Sequence, residues 1–275
     1  KDNSTLLKNS QKFTLDLNSF PGNNSRVFLP HPEIFKSIKK NKKLLIDDGK
    51  IILNVTKVSS EKIETEVVNG GRISNMKGVN IPETFLKLSP LTKKDLKDLE
   101  FCLDLSLDYV ALSFVQKAKD LIDLKNYVGD STGIMAKFEK PLAIKRMNEI
   151  LNVCDAAMVA RGDLGVEMPA EEVPIIQKRI VQACRDFGKP VVVATQMLDS
   201  MINSPTPTRA EASDVATAVF DAADCLMLSA ETAAGKFPVE SVKIMDRIIR
   251  GVESDVSYRQ ILESKKIILE QTTSD

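Results

Sequence analysis

The sequence predicts an α/β protein in which an antiparallel β region precedes five βα units. Between residues 11 and 75, short runs of alternating apolar and polar residues are separated by turn residues. After Pro90, apolar runs of about five residues alternate with stretches of about 10 to 15 residues that have helical periodicity. The five units fit either an open doubly wound sheet or part of an eightfold barrel, and their spacing alone does not separate these two folds.

The first part of the chain contains four predicted strands. Asp47-Asp48-Gly49 is typical of a hairpin turn, and Asn69-Gly70-Gly71 ends the last of the four runs. Together they predict a small antiparallel domain. The strands are predicted at residues 12–17, 44–46, 51–58 and 63–68.

Each of the five later strands is followed by a helix with its own start signal. Thr92 with Asp95 and Thr208 with Glu211 have the spacing of capping boxes. Pro141 and Pro238 stand where a first-turn proline is tolerated, and Gly188 is expected to end the helix that begins near Val173. The five strands are predicted at residues 109–114, 133–138, 156–160, 190–194 and 225–228.

The composition favours a cytoplasmic protein that acts on small molecules. Lys plus Arg and Asp plus Glu number 38 each, so no basic excess indicates a nucleic-acid or membrane surface. No apolar run reaches the about 18 residues of a membrane span, and residues 1–8 contain no apolar signal core. Four cysteines, none in a C-x-x-C pair, are interpreted as reduced core thiols: Cys102, Cys154, Cys184 and Cys225.

Polar residues follow four successive strands of the predicted parallel sheet. The carboxyl ends of parallel strands meet on one rim, which is where α/β barrels build their sites. No G-x-G-x-x-G and no G-x-x-x-x-G-K-[ST] motif offers another nucleotide site. The rim residues are Lys137 and Glu139, Arg161 and Asp163, Thr195 and Gln196, and Ser229 and Glu231.

These residue types suit an anionic substrate and a hard metal ion. Glu139 and Asp163 could supply two oxygen ligands to Mg²⁺, and Lys137 would place a positive charge beside the metal. Residues 161–165 are expected to form a tight turn whose backbone N–H groups bind a carboxylate or phosphate. For any single pair, a rim salt bridge without a catalytic role is the alternative.

The same segments resemble the pyruvate kinase family, in its bacterial branch, in order and spacing. Two further matches lie in the antiparallel region, at residues 47–49 and 77–82. The five longer matches are residues 135–141 (Met-Ala-Lys-Phe-Glu-Lys-Pro), 158–165 (Met-Val-Ala-Arg-Gly-Asp-Leu-Gly), 194–198 (Ala-Thr-Gln-Met-Leu), 207–211 (Pro-Thr-Arg-Ala-Glu) and 227–233 (Met-Leu-Ser-Ala-Glu-Thr-Ala).

The resemblance implies a partial (β/α)8 TIM barrel, strands 4 to 8, with an inserted small antiparallel β lid domain. It implies a lid at residues 1–88, the second part of the barrel at 89–254, and the start of a C-terminal domain at 255–275. The chain would then be an internal fragment that lacks the first three barrel strands and most of the C-terminal domain.

The activity implied is Mg²⁺- or Mn²⁺-dependent phosphoryl transfer from phosphoenolpyruvate to ADP, giving pyruvate and ATP in glycolysis. Glu139 and Asp163 would hold the metal, and Lys137 would stabilise the transferring group. K⁺ would also be required, with its ligands outside this chain. The resemblance suggests a homotetramer as the oligomeric state.

Further roles are implied around this centre. Arg161 and the amides of Gly162 and Asp163 would bind substrate, with the amides contacting its carboxylate, and Thr195 would contact substrate near the carbon that is protonated. Lys77 in the lid would touch nucleotide phosphate. The proton-supplying region would include Ser229 and Glu231.

Two other functions compete with this interpretation. A metal-dependent barrel aldolase acting on a pyruvate enolate would use a similar rim of metal and cation, and a non-catalytic module could retain the fold alone. An antiparallel lid that carries Lys77 favours the kinase, because closing over a nucleotide excludes water, whereas an aldolase does not need such a lid.

Overall fold

The computed structural model describes residues 4–82, 84 and 90–264 of the chain. The predicted boundary between residues 88 and 89 lies outside the described residues, as do residues 265–275 of the predicted C-terminal segment. In the described part, no helix is both long and apolar enough to cross a bilayer.

The first part of the chain is built from two β-sheets and a short helix. A six-stranded sheet has the order β3-β2-β6-β5-β4-β8, and β1 pairs with β7 in a separate ribbon. Alternate residues of these strands, such as Phe13, Leu15 and Leu53, form one apolar core. The elements are β1 (Ser4–Leu7), β2 (Lys12–Asp16), β3 (Arg26–Phe28), α1 (Pro32–Ser37), β4 (Lys43–Ile46), β5 (Ile51–Val58), β6 (Lys62–Asn69), β7 (Gly71–Ser74) and β8 (Val79–Asn80).

The four strands predicted in this part form within two residues of their expected bounds. Their pairings with one another are antiparallel, as expected, whereas β3, which was not predicted, pairs with β2 in parallel. Strands β1, β3, β7 and β8 and helix α1 were not predicted. These strands have two to four residues each, too few for alternation to separate them from loop.

The second part of the chain is a five-stranded parallel sheet with helices between successive strands. Its order, β13-β12-β11-β10-β9, follows the chain, and all four pairings are parallel. The elements are α2 (Lys93–Asp104), β9 (Tyr109–Leu112), α3 (Ala118–Val128), β10 (Gly133–Phe138), α4 (Pro141–Lys145), α5 (Met147–Leu151), β11 (Ala156–Ala160), α6 (Arg161–Glu167), α7 (Val173–Asp186), β12 (Val191–Ala194), α8 (Arg209–Phe220), β13 (Cys225–Met227), α9 (Ala230–Ala233), α10 (Pro238–Ser254) and α11 (Val256–Ser264), with short 3₁₀ helices at Ala170–Glu172 and Asp199–Ile202.

All five predicted parallel strands are present, and β10 and β11 have the predicted bounds. The central strand β11 is buried along its whole length, as expected for a parallel strand covered on both faces. The two predicted capping boxes form at Thr92 and Thr208. Each threonine hydroxyl accepts a hydrogen bond from the backbone N–H of the residue three positions later, Asp95 or Glu211. Gly188 has a φ of 62°, the left-handed conformation that commonly follows a helix.

The cysteines are not all core thiols. Cys154 and Cys184 are buried, and burial raises the pKa of their thiols to about 11 and about 12, so both are weak nucleophiles at neutral pH. The prediction was wrong for Cys225, which is exposed, and for Cys102, which is half-buried. Cys225 is exposed because β13 is an edge strand of the parallel sheet.

The two parts of the chain contact each other through helix α6. Asn80 at the end of β8 donates through Nδ2 to Oε1 of Glu167, at 3.0 Å. Lys140, which follows β10, places Nζ 2.5 Å from the same oxygen. Glu167 is only 6% exposed, so this buried carboxylate connects the antiparallel region to the carboxyl-end rim of the parallel sheet.

Candidate active site

The carboxyl ends of β9 to β12 bring most of the predicted rim residues together. The register pairs Lys137 in β10 with Met158 in β11, and Ala160 at the end of β11 with Ala194 at the end of β12. The residues that directly follow these strands therefore lie on one edge of the sheet, as the sequence predicts.

Lys137 is half-buried and has two polar neighbours. Its Nζ lies 2.8 Å from Oγ of Ser113 and 2.5 Å from Oε1 of Glu139. Ser113 was not among the predicted site residues. It directly follows β9, so the strand-end rule that selected the other residues would have found it if applied to this strand too.

Glu139 is fully buried yet only partly satisfied by hydrogen bonds. Its Oε2 accepts from the backbone N–H of Phe114 at 2.8 Å, whereas Oε1 accepts no well-aligned hydrogen bond and has Lys137 as its neighbour. Phe114 has a φ of 57°, an uncommon conformation for a non-glycine residue. A strained backbone therefore places an N–H against this carboxylate.

Asp163 lies in the first turn of α6 and is half-buried. Its carboxylate makes no hydrogen bond or ion pair with any residue that the structure describes. With Glu139 Oε1 it offers oxygens that protein donors do not saturate, which is the donor set of a hard divalent cation. Groups of three or more His, Cys, Asp and Glu side chains suited to a metal do not occur in the described ranges, so a cation here would keep water or substrate oxygens as its other ligands.

The segment expected to be a tight turn, residues 161–165, is instead helical, because α6 begins directly at Arg161. The N–H of Gly162, predicted to bind substrate, donates to Oγ1 of Thr195 at 2.7 Å. A Cβ on Gly162 would lie 3.3 Å from the same oxygen, tighter than most real contacts. A side chain at this position would require Thr195 to move by a few tenths of an ångström, so glycine favours the close approach of this backbone to Thr195.

Thr195 and Gln196, which follow β12, both have left-handed backbone conformations, with φ of 71° and 54°. A positive φ is a genuine outlier for a β-branched residue such as threonine. Arg161 reaches these two residues, since its guanidinium donates to the carbonyl oxygens of both. The side chain of Arg161 thus binds protein groups here, although the sequence predicts that it binds substrate.

Ser229 and Glu231 follow β13, Ser229 just before α9 and Glu231 within it. Glu231 is 1% exposed, and its two oxygens accept from backbone N–H groups of Leu198 at 3.1 Å and Ser229 at 2.7 Å. These bonds connect the start of α9 to the loop after β12. The predicted role of both residues in proton supply stays a prediction.

Lys77 lies in the antiparallel region, between β7 and β8. Its Nζ is 2.8 Å from Oδ1 of Asp47, and this hydrogen bond holds the pKa of the Asp47 carboxyl below its usual value. Asp47 and Asp48 both have positive φ in the β4–β5 turn, which is the turn predicted from the sequence. Lys77 is about one-third exposed, so its ammonium remains accessible to a ligand.

A cavity of about 380 Å³ lies where the antiparallel region meets the rim of the parallel sheet. Ile81 and Thr84 line one side, and Gln116 and Lys140 line another. Lys140 also lies 5.4 Å from the centre of the Phe114 ring, the residue whose N–H contacts Glu139. Lys140 therefore links the wall of this cavity to the residue that contacts the buried carboxylate.

Comparison with known proteins finds relatives of this chain. The family model "Pyruvate kinase, barrel domain" matches residues 1–242. A pyruvate kinase of Methylorubrum extorquens is 53% identical over 270 residues, covering 98% of this chain and 56% of that protein. A pyruvate kinase of Geobacillus stearothermophilus is 42% identical over 275 residues, covering 98% of this chain and 47% of that protein.

A solved structure is similar as well. The crystal structure of a pyruvate kinase from Cryptosporidium parvum superposes with a TM-score of 0.90 at 35% identity, covering 94% of this chain and 55% of that one. The chain spans about half the length of the curated relatives it matches. The resemblance noted in the sequence is confirmed: the chain belongs to the pyruvate kinase family.

Proposed function

We propose that the protein carrying this chain transfers a phosphoryl group from phosphoenolpyruvate to ADP, and that the resulting enolate is protonated to pyruvate. The observation that carries this proposal is the meeting of a half-buried cation, Lys137, with an incompletely bonded buried carboxylate, Glu139. Asp163, in the first turn of α6 on the same rim, has a carboxylate without a partner among the described residues. Phosphoryl transfer asks a protein mainly for positioning and for neutralisation of charge.

In this proposal Lys137 stabilises the charge of the transferring group. Glu139 and Asp163 hold Mg²⁺ or Mn²⁺, which when bound neutralises phosphate charge and orients substrate oxygens. The hydroxyl of Thr195 lies next to the reacting carbon, and Ser229 and Glu231 belong to the region that supplies the proton. The N–H groups of Gly162 and Asp163 bind the substrate carboxylate. For this, the N–H of Gly162 gives up its hydrogen bond to Thr195 and donates to the substrate instead.

The proposal extends to architecture and partners. Strands β9 to β13 would be strands 4 to 8 of an eightfold barrel, and residues 1–88 would form a lid that brings Lys77 to nucleotide phosphate. Residues from 255 onward would begin a C-terminal domain. The whole protein would be a cytoplasmic homotetramer that also requires K⁺, held by residues outside this chain.

A coupled assay of pyruvate release by the whole protein tests the reaction. We expect turnover that requires phosphoenolpyruvate, ADP and Mg²⁺ together and rises with K⁺. Pyruvate formation that does not depend on ADP, or cleavage of a hydroxy acid to pyruvate and an aldehyde, would favour the aldolase instead. Absence of both activities would favour the non-catalytic module.

A further inference from the structure

The turn formed by Thr195 and Gln196 is held in a conformation that its residues do not favour. Both residues have positive φ, and neither is glycine. Such outliers persist only where surrounding contacts determine the backbone, and they concentrate at functional sites. Contacts from neighbouring residues therefore hold the Thr195–Gln196 turn in this conformation.

Arg161 supplies the contacts to the backbone of this turn. Its Nη2 donates to the carbonyl oxygen of Thr195 at 2.7 Å, and its Nε approaches the same oxygen at 3.2 Å. The same Nη2 lies 3.2 Å from the carbonyl oxygen of Gln196. A guanidinium is suited to this task, because its planar fork of donors can bind two adjacent carbonyl groups in a fixed geometry.

Asp214 on α8 holds the other side of the guanidinium. Nη1 of Arg161 lies 2.8 Å from Oδ1 and 2.7 Å from Oδ2 of this carboxylate, and 3.4 Å from Oε1 of Gln177. The side chain of Arg161 is 10% exposed, whereas that of Asp214 is 35% exposed. The guanidinium is thus enclosed between the turn and α8 and has its donors occupied by protein groups.

The residue after Arg161 fixes the side chain of the same threonine. The N–H of Gly162 donates to Thr195 Oγ1 at 2.7 Å, so residues 161 and 162 hold Thr195 at both its carbonyl oxygen and its hydroxyl. We propose that Arg161 is a positioning residue that aims the Thr195 hydroxyl at the substrate, and that Asp214 orients Arg161 for this purpose. This replaces the substrate-binding role that the sequence suggests for Arg161, and it rests on the proposed function of Thr195.

Arg161 and Asp214 together are called the clamp on the Thr195–Gln196 turn. Hydrogen exchange of the substrate-free whole protein tests this clamp independently of the reaction. Replacing Arg161 by Met or Asp214 by Asn should accelerate exchange in a peptide covering residues 194–199 by at least about tenfold, because the strained turn loses its supports. Arg179→Met and Asp104→Asn remove an exposed cation and an exposed anion elsewhere and should leave this peptide unchanged. Unchanged exchange in Asp214→Asn, the more exposed of the two sites, would overturn the clamp even if Arg161→Met does not fold.

Kinetics test the aiming of the hydroxyl. We expect Asp214→Asn to lower kcat with phosphoenolpyruvate and ADP by about 10- to 100-fold while KM for phosphoenolpyruvate changes less than about threefold. Arg161→Lys should retain more activity than Arg161→Met. In a Thr195→Ala background, Arg161→Met should lower kcat only slightly further, because both changes remove the same interaction.

Two results would contradict this role. A raised KM with unchanged kcat in Arg161→Met would return Arg161 to substrate binding, and full additivity with Thr195→Ala would show that it does not act through Thr195. If the wild-type protein forms no pyruvate while the exchange result holds, the proposed reaction fails but the clamp on Thr195 remains.

Discussion

The ammonium of Lys137 lies 2.5 Å from Oε1 of Glu139, two residues further along the chain. The side chain of Glu139 is 1% exposed and that of Lys137 is 22% exposed, so the carboxylate of this pair is shielded from water. Removing one member leaves the other without its charge partner, which makes each residue a sensitive probe of the site.

Lys137→Met in the whole protein should lower kcat by about a thousandfold or more, because its charge acts on the phosphoryl group in the transition state. Affinity for Mg²⁺ should stay nearly intact, since the lysine is not a metal ligand. Steady-state kinetics and metal titration measure the two effects. Lys145→Met, which removes an exposed lysine of α4, is the matched control. An unchanged kcat with only a raised KM would mean that Lys137 merely binds substrate.

Glu139→Gln and Asp163→Asn should each weaken Mn²⁺ binding by at least about tenfold, because each replaces a charged oxygen ligand by a neutral one. The substrate-free protein is titrated with Mn²⁺, and electron paramagnetic resonance measures the concentration of the free ion at each step. Glu149→Gln removes an exposed carboxylate of α5 and should have no effect. Wild-type affinity in both site variants would remove the metal assignment.

Glu231→Gln should destabilise the protein by about 1–3 kcal/mol, because the amide can accept from only one of the two backbone N–H groups that the buried carboxylate now satisfies. Chemical denaturation provides the measurement, with the exposed Glu240→Gln as control. Wild-type stability combined with lost turnover would instead support the catalytic role that the sequence predicts for Glu231.

Acid should remove the stabilisation that Arg26 gives to Asp16 in the antiparallel region. Arg26 Nε donates to Asp16 Oδ2 at 2.9 Å, and this bond lowers the pKa of the Asp16 carboxyl below its ordinary value. A lowered folded-state pKa means that the contribution is present above about pH 4 and is lost as the pH falls through the folded value. The melting-temperature difference between wild type and Asp16→Asn should therefore be constant near pH 7 and shrink below pH 4. A difference that does not change with pH would refute this linkage.

The 275-residue chain expressed alone should form no pyruvate. Strands β9 and β13 are both edges of the parallel sheet, and large apolar side chains such as Tyr109 in β9 and Phe101 in α2 are exposed. Unpaired edges and exposed apolar groups favour self-association. The coupled assay on the purified chain, compared with its Lys137→Met variant, is sufficient. Turnover above that variant would show that the chain is a complete catalyst.

The sequence by itself determined the order of the five parallel strands and predicted the residues of the candidate site. Short apolar runs between stretches of helical periodicity located β10 and β11 at their observed bounds, and the hydroxyl-to-carboxylate spacing at Thr92 and Thr208 identified two helix starts. These features depend on interactions between residues a few positions apart, so a local pattern records them. The rule that parallel strands share one carboxyl-end rim then selected Lys137 and Glu139.

The tertiary structure decided which partner each polar group has. The bond of Lys137 to Ser113 depends on the pairing of β9 with β10, and the reach of Arg161 to Asp214 depends on how α8 packs, 53 residues further along the chain. The same holds for Cys225, whose apolar neighbours in sequence predicted burial although its strand is an edge. Hydrogen bonds and exposure depend on distances between segments that no local pattern encodes, so the sequence located the rim of the site while the fold assigned the contacts within it.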